Sequence, residues 1–441
     1  MGDNLSTRRA FLQNGLGLLA AATTVPAFLD RTVWAMDNPA LGNGTRTQKQ
    51  TGKDGRILVV VQLSGGNDGL NSVVPYADDA YYRARPALGI PPKETLRIND
   101  YIGFNPQLAP LKKMYDGGQL SIVQGVGYPN PNRSHFRSMD IWQTADPQDE
   151  MATTGWVGKF FDNTCNGVDP HVGVSIGENL PLAMKGERIT PLAFERPDSY
   201  RYKGTDRERY LALNQHEGSV DPAMAADPEH RPIVKPRKKE IEVASAADQL
   251  DFLRRTAMDA QVSSDNLLKI TKEFRPAGAY PRGGFGDGLR TIAAMIGGGL
   301  ATRVYYVTLG GFDTHAGQRG KHDNLMQQFA QGTEAFWTDM LKQENTGRVL
   351  MLSFSEFGRR VQQNASGGTD HGAAAPMFVM GPTLKHGVLG KHPSLTDLDQ
   401  GDLKHNIDFR SVYATVLEEW LETPSKPILG QQFKALPMFK G

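Results

Sequence analysis

The chain has 441 residues, of which 39% are hydrophobic and 22% are charged, and its formal net charge is +1 at pH 7. This composition is typical of a globular protein long enough for one large α/β domain or two smaller ones. A net charge so close to zero argues against a nucleic-acid-binding surface or a polybasic membrane anchor. The single cysteine, Cys165, excludes an intramolecular disulfide and any metal site built from several thiolates.

The first 35 residues have the layout of an export signal. Arg8 and Arg9 stand within STRRAFL, which fits the twin-arginine (Tat) consensus, and an apolar stretch without charges follows. The stretch VWA, ending at Ala35, offers a cleavage site. We therefore predict a Tat signal peptide over residues 1–35, the Tat translocase as a partner during export, and a periplasmic or extracellular mature protein. An uncleaved anchor is the alternative.

Three further segments follow the predicted signal. Residues 36–54 are polar and rich in Gly, Asn and Thr, which predicts a flexible leader. One domain is predicted over residues 55–441, with a surface insertion at about 196–245, where Pro and charged residues interrupt its pattern. No other segment is long and apolar enough to cross a bilayer, so no stable membrane span is expected after processing.

Short apolar runs that end in small or polar residues recur along this domain and predict strands buried on both faces. They are Ile57–Leu63, Leu120–Gly127, Arg303–Gly311, Arg348–Gly358 and Pro376–Gly381. Helical patterns lie between or after them, at Asp287–Ala301, Asn324–Gln343 and Asp408–Leu421. Strands that alternate with helices predict an α/β fold with a mostly parallel sheet sandwiched by helices.

Polar side chains collect where the predicted strands end, and in an open parallel sheet ligands bind at that edge. In chain order, four pairs follow a predicted strand and one stands just ahead of the last strand: they are Asp68 and Asn71, Ser134 and His135, Asp313 and His315, Glu356 and Arg359, and, ahead of the last strand, Asp370 and His371. Carboxylates and imidazoles without thiolates suit one or two divalent cations, with zinc, calcium, magnesium and manganese all open. Each motif taken singly also fits a helix cap or a surface pair. Their repetition at successive strand ends favours a metal site.

The segment GGFDTH, Gly310 to His315, illustrates the geometry. In extended backbone, residues i and i+2 point the same way, so Asp313 and His315 can direct a carboxylate and an imidazole at one ion. The two glycines allow a sharp turn and a close approach of the backbone.

These motifs resemble a known family. The Tat leader, LSGGNDGLNSVVPY, RSHFRSMDIWQT, GGFDTHAGQ, SEFGRRV, GGTDHGAAAPMFVMG and DFRSVYATVLEEWL resemble a large bacterial family of exported proteins that is named only as a domain of unknown function. The resemblance runs from about residue 56 to the C-terminus. That family is in turn similar to the alkaline phosphatase and sulfatase superfamily, which hydrolyses phosphate or sulfate esters at one or two metal ions. The resemblance therefore implies an alkaline phosphatase-like domain.

The resemblance also implies roles for individual residues. Ser134 falls where the superfamily has its hydroxyl nucleophile, with His135 as a candidate general acid and Arg137, Arg133 or Arg359 as a clamp for the ester oxygens. The implied metal ligands are Asp68, Asp313, His315, Glu356, Asp370 and His371. The implied substrate is a small-molecule or polysaccharide ester.

The chain departs from the superfamily pattern in three places. Phe357 stands where a histidine ligand is expected, so that Asp370 compensates or the second metal is weak or missing. The spacing Asp-x-His is shorter than usual, and His322 is a spare candidate ligand. The stretch SHFRS lacks the proline of the formylglycine signature, which disfavours an ordinary formylglycine sulfatase.

Two kinds of function remain open at this point. The first is a metal-dependent hydrolase of phosphate or sulfate esters, in which a divalent cation activates a serine nucleophile. The second is a catalytically inactive exported protein that retains the fold for metal binding, carbohydrate binding or assembly.

Overall fold

The computed structural model describes residues 55–165, 170–199 and 265–440. The predicted signal peptide, the predicted leader and the predicted insertion beyond residue 199 lie outside the described residues. The chain divides into two compact units, one of which comprises residues 43–197 and 270–441. All of the elements below belong to that unit.

The strands of the described part of the chain are β1 (Ile57–Leu63), β2 (Val73–Val74), β3 (Leu96–Arg97), β4 (Gly103–Phe104), β5 (Leu120–Gly127), β6 (Gly173–Ile176), β7 (Leu192–Phe194), β8 (Val304–Leu309), β9 (Val349–Phe354), β10 (Arg359–Gln363), β11 (Thr369–His371), β12 (Ala375–Met380), β13 (Gly387–Leu389), β14 (Leu398–Asp399), β15 (Asp402–Leu403) and β16 (Ile407–Asp408). The α-helices that lie wholly within the described residues are α1 (Gly69–Ser72), α2 (Asp79–Ala84), α3 (Ala109–Asp116), α4 (His135–Thr144), α5 (Trp156–Thr164), α6 (Gly284–Gly297), α7 (Gln318–Lys342), α8 (Phe409–Thr415), which continues as a π-helix (Val416–Trp420), and α9 (Lys426–Leu429).

The central sheet has nine strands in the order β13-β5-β12-β9-β1-β8-β6-β7, with β16 also paired to β5. The pairs of β1 with β8 and β9, of β6 with β7 and β8, and of β5 with β13 and β16 are parallel. Strand β12 runs antiparallel to both of its neighbours, β5 and β9. The prediction of a mostly parallel sheet with flanking helices is confirmed.

The direction of β12 matters for the site. Because β12 is antiparallel, it begins at the edge where its neighbours β5 and β9 end. Residues that precede β12 therefore meet residues that follow β1, β5, β8 and β9 at one rim of the sheet. Because of this antiparallel strand, a segment that precedes a strand and segments that follow strands can contribute to one site.

The five predicted strands are all present, and their residues are almost entirely buried. The C-terminal helical pattern is also confirmed, and its apolar face packs in the core. The Trp142 ring stacks on Phe409 at a centroid distance of 4.3 Å, and Trp156 stacks on Tyr413 at 4.3 Å. Stacked aromatic pairs of this kind add to the burial of their apolar area.

Several elements differ from the sequence-based expectation. Helix α6 begins at Gly284 rather than at Asp287 and ends at Gly297, and α7 begins at Gln318 rather than at Asn324. Strands β6 and β7 were not expected, because runs of four and three residues are too short for a periodic signal. Among the described residues, no helix has both the length and the hydropathy that a membrane crossing requires.

Gly65 shows how closely the loops of this rim approach each other. Its φ is +116°, and a Cβ placed on it would lie 2.5 Å from the backbone nitrogen of Asp313. We expect Gly65→Ala to lower the free energy of unfolding by about 2 kcal/mol or more, from backbone strain plus the clash. The exposed Gly320, whose added Cβ would meet nothing within 4 Å, is the control, and Gly320→Ala in α7 should be neutral or stabilising. Urea denaturation checks both variants, and equal stabilities would contradict the close approach.

Candidate metal centre

Three histidines and one aspartate converge at the rim of the sheet. His135 is the first residue of α4, Asp313 and His315 follow β8, and His371 is the last residue of β11. The ligand atoms of His135, Asp313 and His371 all lie within 4.8 Å of one another. The contacts of His315 with Asp313 and His371 place it in the same group, which we call the His₃Asp cluster.

One oxygen atom lies at the centre of the His₃Asp cluster. Asp313 Oδ1 is 3.0 Å from His315 Nε2, 3.2 Å from His371 Nε2 and 3.5 Å from His135 Nε2. The Nε2 atoms of His315 and His371 are 2.9 Å apart. All three imidazoles thus direct the same ring nitrogen at one carboxylate oxygen.

The other nitrogen of each imidazole contacts an oxygen acceptor. His135 Nδ1 lies 2.8 Å from Glu356 Oε1, and His371 Nδ1 lies 2.8 Å from the carbonyl oxygen of Arg133. His315 Nδ1 lies 3.3 Å from Asp370 Oδ1. Carbonyl and carboxylate oxygens only accept, so Nδ1 carries the proton of each neutral ring and Nε2 presents a lone pair. This is the arrangement that orients histidine ligands of metal ions.

The His₃Asp cluster fits a divalent cation. His135 Nε2 is buried and has no hydrogen-bond partner, and the lone pairs of His315 and His371 repel each other at 2.9 Å unless a positive charge lies between them. Separations of 2.9 to 3.5 Å suit neighbouring ligands of one ion with bonds of roughly 2.0–2.2 Å. A donor set dominated by imidazole favours zinc or a similar transition metal over calcium or magnesium, which prefer oxygen ligands.

The electrostatics keep the central carboxylate ionised. Desolvation raises the pKa of Asp313, but the hydrogen bond and the positive charge of Arg359 oppose it, and the pKa is lowered to about 2. Arg359 donates to Asp313 Oδ1 over 2.8 Å. Asp313 is therefore an anion throughout the neutral range, as a metal ligand must be.

Asp68 does not join the His₃Asp cluster, which corrects the ligand set expected from the sequence. Its side chain is buried, and its Oδ2 accepts from Arg85 at 2.5 Å and also from Gln318. Burial raises the pKa of Asp68, but the charge and hydrogen bond of Arg85 outweigh it and lower the pKa. The carboxylate thus neutralises a buried guanidinium.

Glu356 and Asp370 contact the histidines rather than the central position, so both act as acceptors that orient a ring. Glu356 is buried and also accepts from the backbone nitrogen of Gly65 at 2.9 Å. Asp370 accepts from Asn364 Nδ2 at 3.2 Å, and this hydrogen bond is the main cause of its lowered pKa. His322, the spare candidate, is buried in α7 with Nε2 3.0 Å from Asn67 Oδ1 and lies outside the cluster.

Ser134 lies directly between two residues that contact the cluster. It occupies the N-cap of α4, is exposed, and its hydroxyl makes no capping hydrogen bond. The residue before it supplies the carbonyl oxygen that accepts from His371, and the residue after it is the ligand candidate His135. The hydroxyl is therefore free for chemistry at the N-terminus of a helix.

The three arginines proposed as clamps are all engaged within the protein. Arg137 donates to the carbonyl oxygens of Pro147 and Asp149, at 2.7 and 3.1 Å, instead of reaching the cluster. Arg133 donates to Asp402 Oδ2 through Nε and a terminal nitrogen, at 2.8 and 2.6 Å. Arg359 is completely buried.

The match to a family model decides the family. A model described as "Protein of unknown function (DUF1501)" matches residues 56–421. The chain belongs to the DUF1501 family. None of the curated proteins matches this DUF1501 chain significantly.

Solved structures similar to this DUF1501 protein are only distantly related in sequence. A lipoteichoic acid synthase from Listeria monocytogenes is 8% identical with a TM-score of 0.35, and the match covers 92% of this chain and 79% of the synthase. A sulfatase from Pseudoalteromonas sp. is 10% identical with a TM-score of 0.35, over 93% and 74% of the two chains. A protein in the alkaline phosphatase superfamily from Vibrio parahaemolyticus is 7% identical with a TM-score of 0.36, over 91% and 77%. Likeness at this level says nothing about substrate or reaction.

The sequence analysis assigns His135 to proton transfer and does not include it among the candidate ligands, whereas the structure places it in the His₃Asp cluster. With phenylalanine at position 357, the sequence predicts that Asp370 compensates for the missing histidine or that the second metal is weak or missing. In the structure the Phe357 ring packs against the rings of His135 and His371, at centroid distances of 4.9 and 4.7 Å. The available signal was that His135 lies in the segment that follows the predicted strand Leu120–Gly127, at the same edge as the other candidate ligands.

Proposed function

We propose that this DUF1501 protein is a metal-dependent hydrolase of phosphate or sulfate esters, with Ser134 as nucleophile. The observation that supports the proposal most is the His₃Asp cluster. Its member His135 directly follows Ser134, which occupies a helix N-cap without a capping hydrogen bond. Residues 133 and 135 both contact the cluster, so the Ser134 backbone is held beside it. A hydroxyl, a cation site and a helix N-terminus together suit the attack on an anionic ester.

In this proposal each group has a separate role in catalysis. A divalent ion in the His₃Asp cluster would lower the pKa of a nearby hydroxyl and offset the charge that develops on the ester oxygens. Ser134 Oγ would lose its proton to water and form the bond to phosphorus or sulfur, while the bond from that atom to the ester oxygen breaks and the oxygen takes a proton from water to leave as the alcohol. Water then cleaves the seryl ester. The backbone N–H groups of the first turn of α4 favour the anionic group.

The apolar surface beside the nucleophile suits an ester with a ring in its leaving group. Phe136 follows His135 and is 86% exposed, whereas Tyr128 and Trp142 are buried in the core. An exposed aromatic ring next to a polar site can stack on a sugar or an aryl group.

The test is the turnover of aryl phosphate and aryl sulfate by protein loaded with zinc or manganese. We expect Ser134→Ala to lower kcat by about 10³-fold or more while the metal content stays unchanged, because the nucleophile is lost and the ligands are kept. Ser366→Ala, at an exposed serine between β10 and β11, is the matched control and should leave kcat unchanged. Full activity in Ser134→Ala would refute Ser134 as nucleophile, and no turnover in the metal-loaded parent would refute the hydrolase.

A metal-binding protein without esterase activity is the second candidate. The observation in its favour is that Arg133, Arg137 and Arg359 all donate to groups of the protein itself, which leaves none of the three as a ready clamp. Metal bound without turnover of either ester would support this candidate. A folded protein that binds no metal would instead support a structural or assembly role.

Export through the Tat pathway to the periplasm or the cell exterior is part of the proposal. It is supported by the pair Arg8-Arg9 and the apolar stretch that follows, both within residues 1–35. Tat carries folded proteins, which suits a metal site that is filled before export.

A further inference from the structure

Arg359 is a completely buried cation beside the His₃Asp cluster. Its donors are all directed at oxygen atoms of the rim: Nε at Gly66 O (2.8 Å), one terminal nitrogen at Thr369 O (2.9 Å), and the other at Gly65 O, Phe312 O (2.9 Å) and Asp313 Oδ1 (2.8 Å). The guanidinium therefore joins the loop after β1, the loop after β8 and strand β11. Four backbone carbonyl oxygens of the rim thus already accept hydrogen bonds from Arg359.

The charges around the cluster balance at one divalent ion. The carboxylates of Asp313, Glu356 and Asp370 contact the three imidazoles or Arg359 itself. Counting only these three carboxylates and Arg359, which are in direct contact with the cluster, and taking the histidines as neutral, the sum is two negative charges. One divalent cation neutralises them, whereas a second would leave an excess of positive charge in a partly buried site. Asp68 adds nothing to this count, because Arg85 neutralises it.

The geometry of the central carboxylate depends on the same guanidinium. Asp313 Oδ1 is the atom on which all three Nε2 atoms converge, and Arg359 donates to that oxygen from the protein side. The planar guanidinium has several donors in a fixed arrangement, so it can hold four backbone carbonyls and the carboxylate at once. A lysine would supply the charge without that arrangement.

We propose that the site binds a single divalent cation. The guanidinium of Arg359 supplies the positive charge that a second metal ion would otherwise supply. Arg359 is a positioning residue: it holds Asp313 toward the ion and occupies the place of a second one. The inference rests on the proposed metal-dependent function and specifies how many ions that function uses.

The test is the stoichiometry and affinity of Zn²⁺ binding to chelator-treated mature protein, by equilibrium dialysis and calorimetry with the metal alone. We expect one tight site per chain. Arg359→Gln should weaken that site by about 10- to 100-fold, the usual cost of losing a group that orients a ligand. Arg359→Lys should recover part of the loss. Arg137→Gln, at an arginine bonded to the loop after α4, is the matched control and should bind as the parent does.

The outcomes separate this inference from the proposed function. Two tight ions in the parent would overturn the single-ion inference and leave a metal-dependent hydrolase standing. No ion in the parent would overturn both. One ion with unchanged affinity in Arg359→Gln would overturn the positioning role. If Arg359→Gln does not fold, the parent stoichiometry and Arg359→Lys decide, and Arg359→Lys with parental affinity would count against a role for the guanidinium geometry.

Discussion

The Asp313→Ala/His371→Ala double variant is expected to lose almost all of its bound metal. The two side chains supply the central carboxylate oxygen and one of the three imidazole nitrogens, so their removal takes half of the donors of the His₃Asp cluster. A four-ligand zinc site is worth on the order of 10 kcal/mol or more, so the loss of two ligands should weaken Zn²⁺ binding by about 10⁴-fold or more. Elemental analysis of protein purified from a Tat-competent host measures the effect directly.

Two control variants are expected to show an intermediate effect and no effect on metal binding. Glu356→Gln removes the charge that orients His135 but keeps every ligand, and should weaken binding by only about 10- to 100-fold. His386→Ala removes a histidine that packs against the ring of Tyr115, and should leave the metal content unchanged. Equal metal content in the double variant and the parent would refute the cluster as the binding site.

Asp68→Asn is expected to be strongly destabilising, by about 3–5 kcal/mol in the free energy of unfolding, while the metal content stays unchanged. Asp68 and Arg85 form an ion pair of 2.5 Å in which both side chains are essentially inaccessible to water. Removing the carboxylate charge leaves the guanidinium of Arg85 buried and uncompensated, and this is the costly half of breaking a buried pair. A ligand at Asp68 would produce the opposite pattern, with metal loss and little change in the metal-free protein.

Urea denaturation of metal-free protein measures this difference without a contribution from bound metal. The matched control is Asp116→Asn, which breaks the exposed pair with Lys112 and should cost less than about 1 kcal/mol. The folded-state pKa of Asp68 lies below its ordinary value of 3.8, so its contribution is complete above that value and is lost as the pH falls through the folded pKa. The gap between parent and variant should therefore be constant near neutrality and narrow below about pH 4. A gap of less than about 1 kcal/mol at neutral pH would refute the role of the pair.

The strands of the sheet could be predicted because their signal is local. Ile57–Leu63 and Leu120–Gly127 are predicted and observed with the same bounds, since continuous burial requires continuous apolar sequence. The place of Asp313 and His315 at the rim followed from the same reasoning, because the ends of parallel strands meet at one edge. The antiparallel β12 keeps His371 at that edge, a direction that the sequence did not indicate.

The sequence by itself determined which chemical groups stand at the strand ends, because the order of apolar and polar residues predicts where strands end and loops begin. Only the tertiary structure decided which of those groups turn toward a common centre. Asp68 pairs with Arg85 and stays outside the His₃Asp cluster, whereas His135 joins that cluster with Glu356 as its acceptor across 221 residues of chain. Such choices depend on side-chain direction and on the pairing of buried charges between distant segments. A local sequence pattern does not predict these contacts, because the tertiary packing determines which oppositely charged group lies close enough to pair with a buried charge.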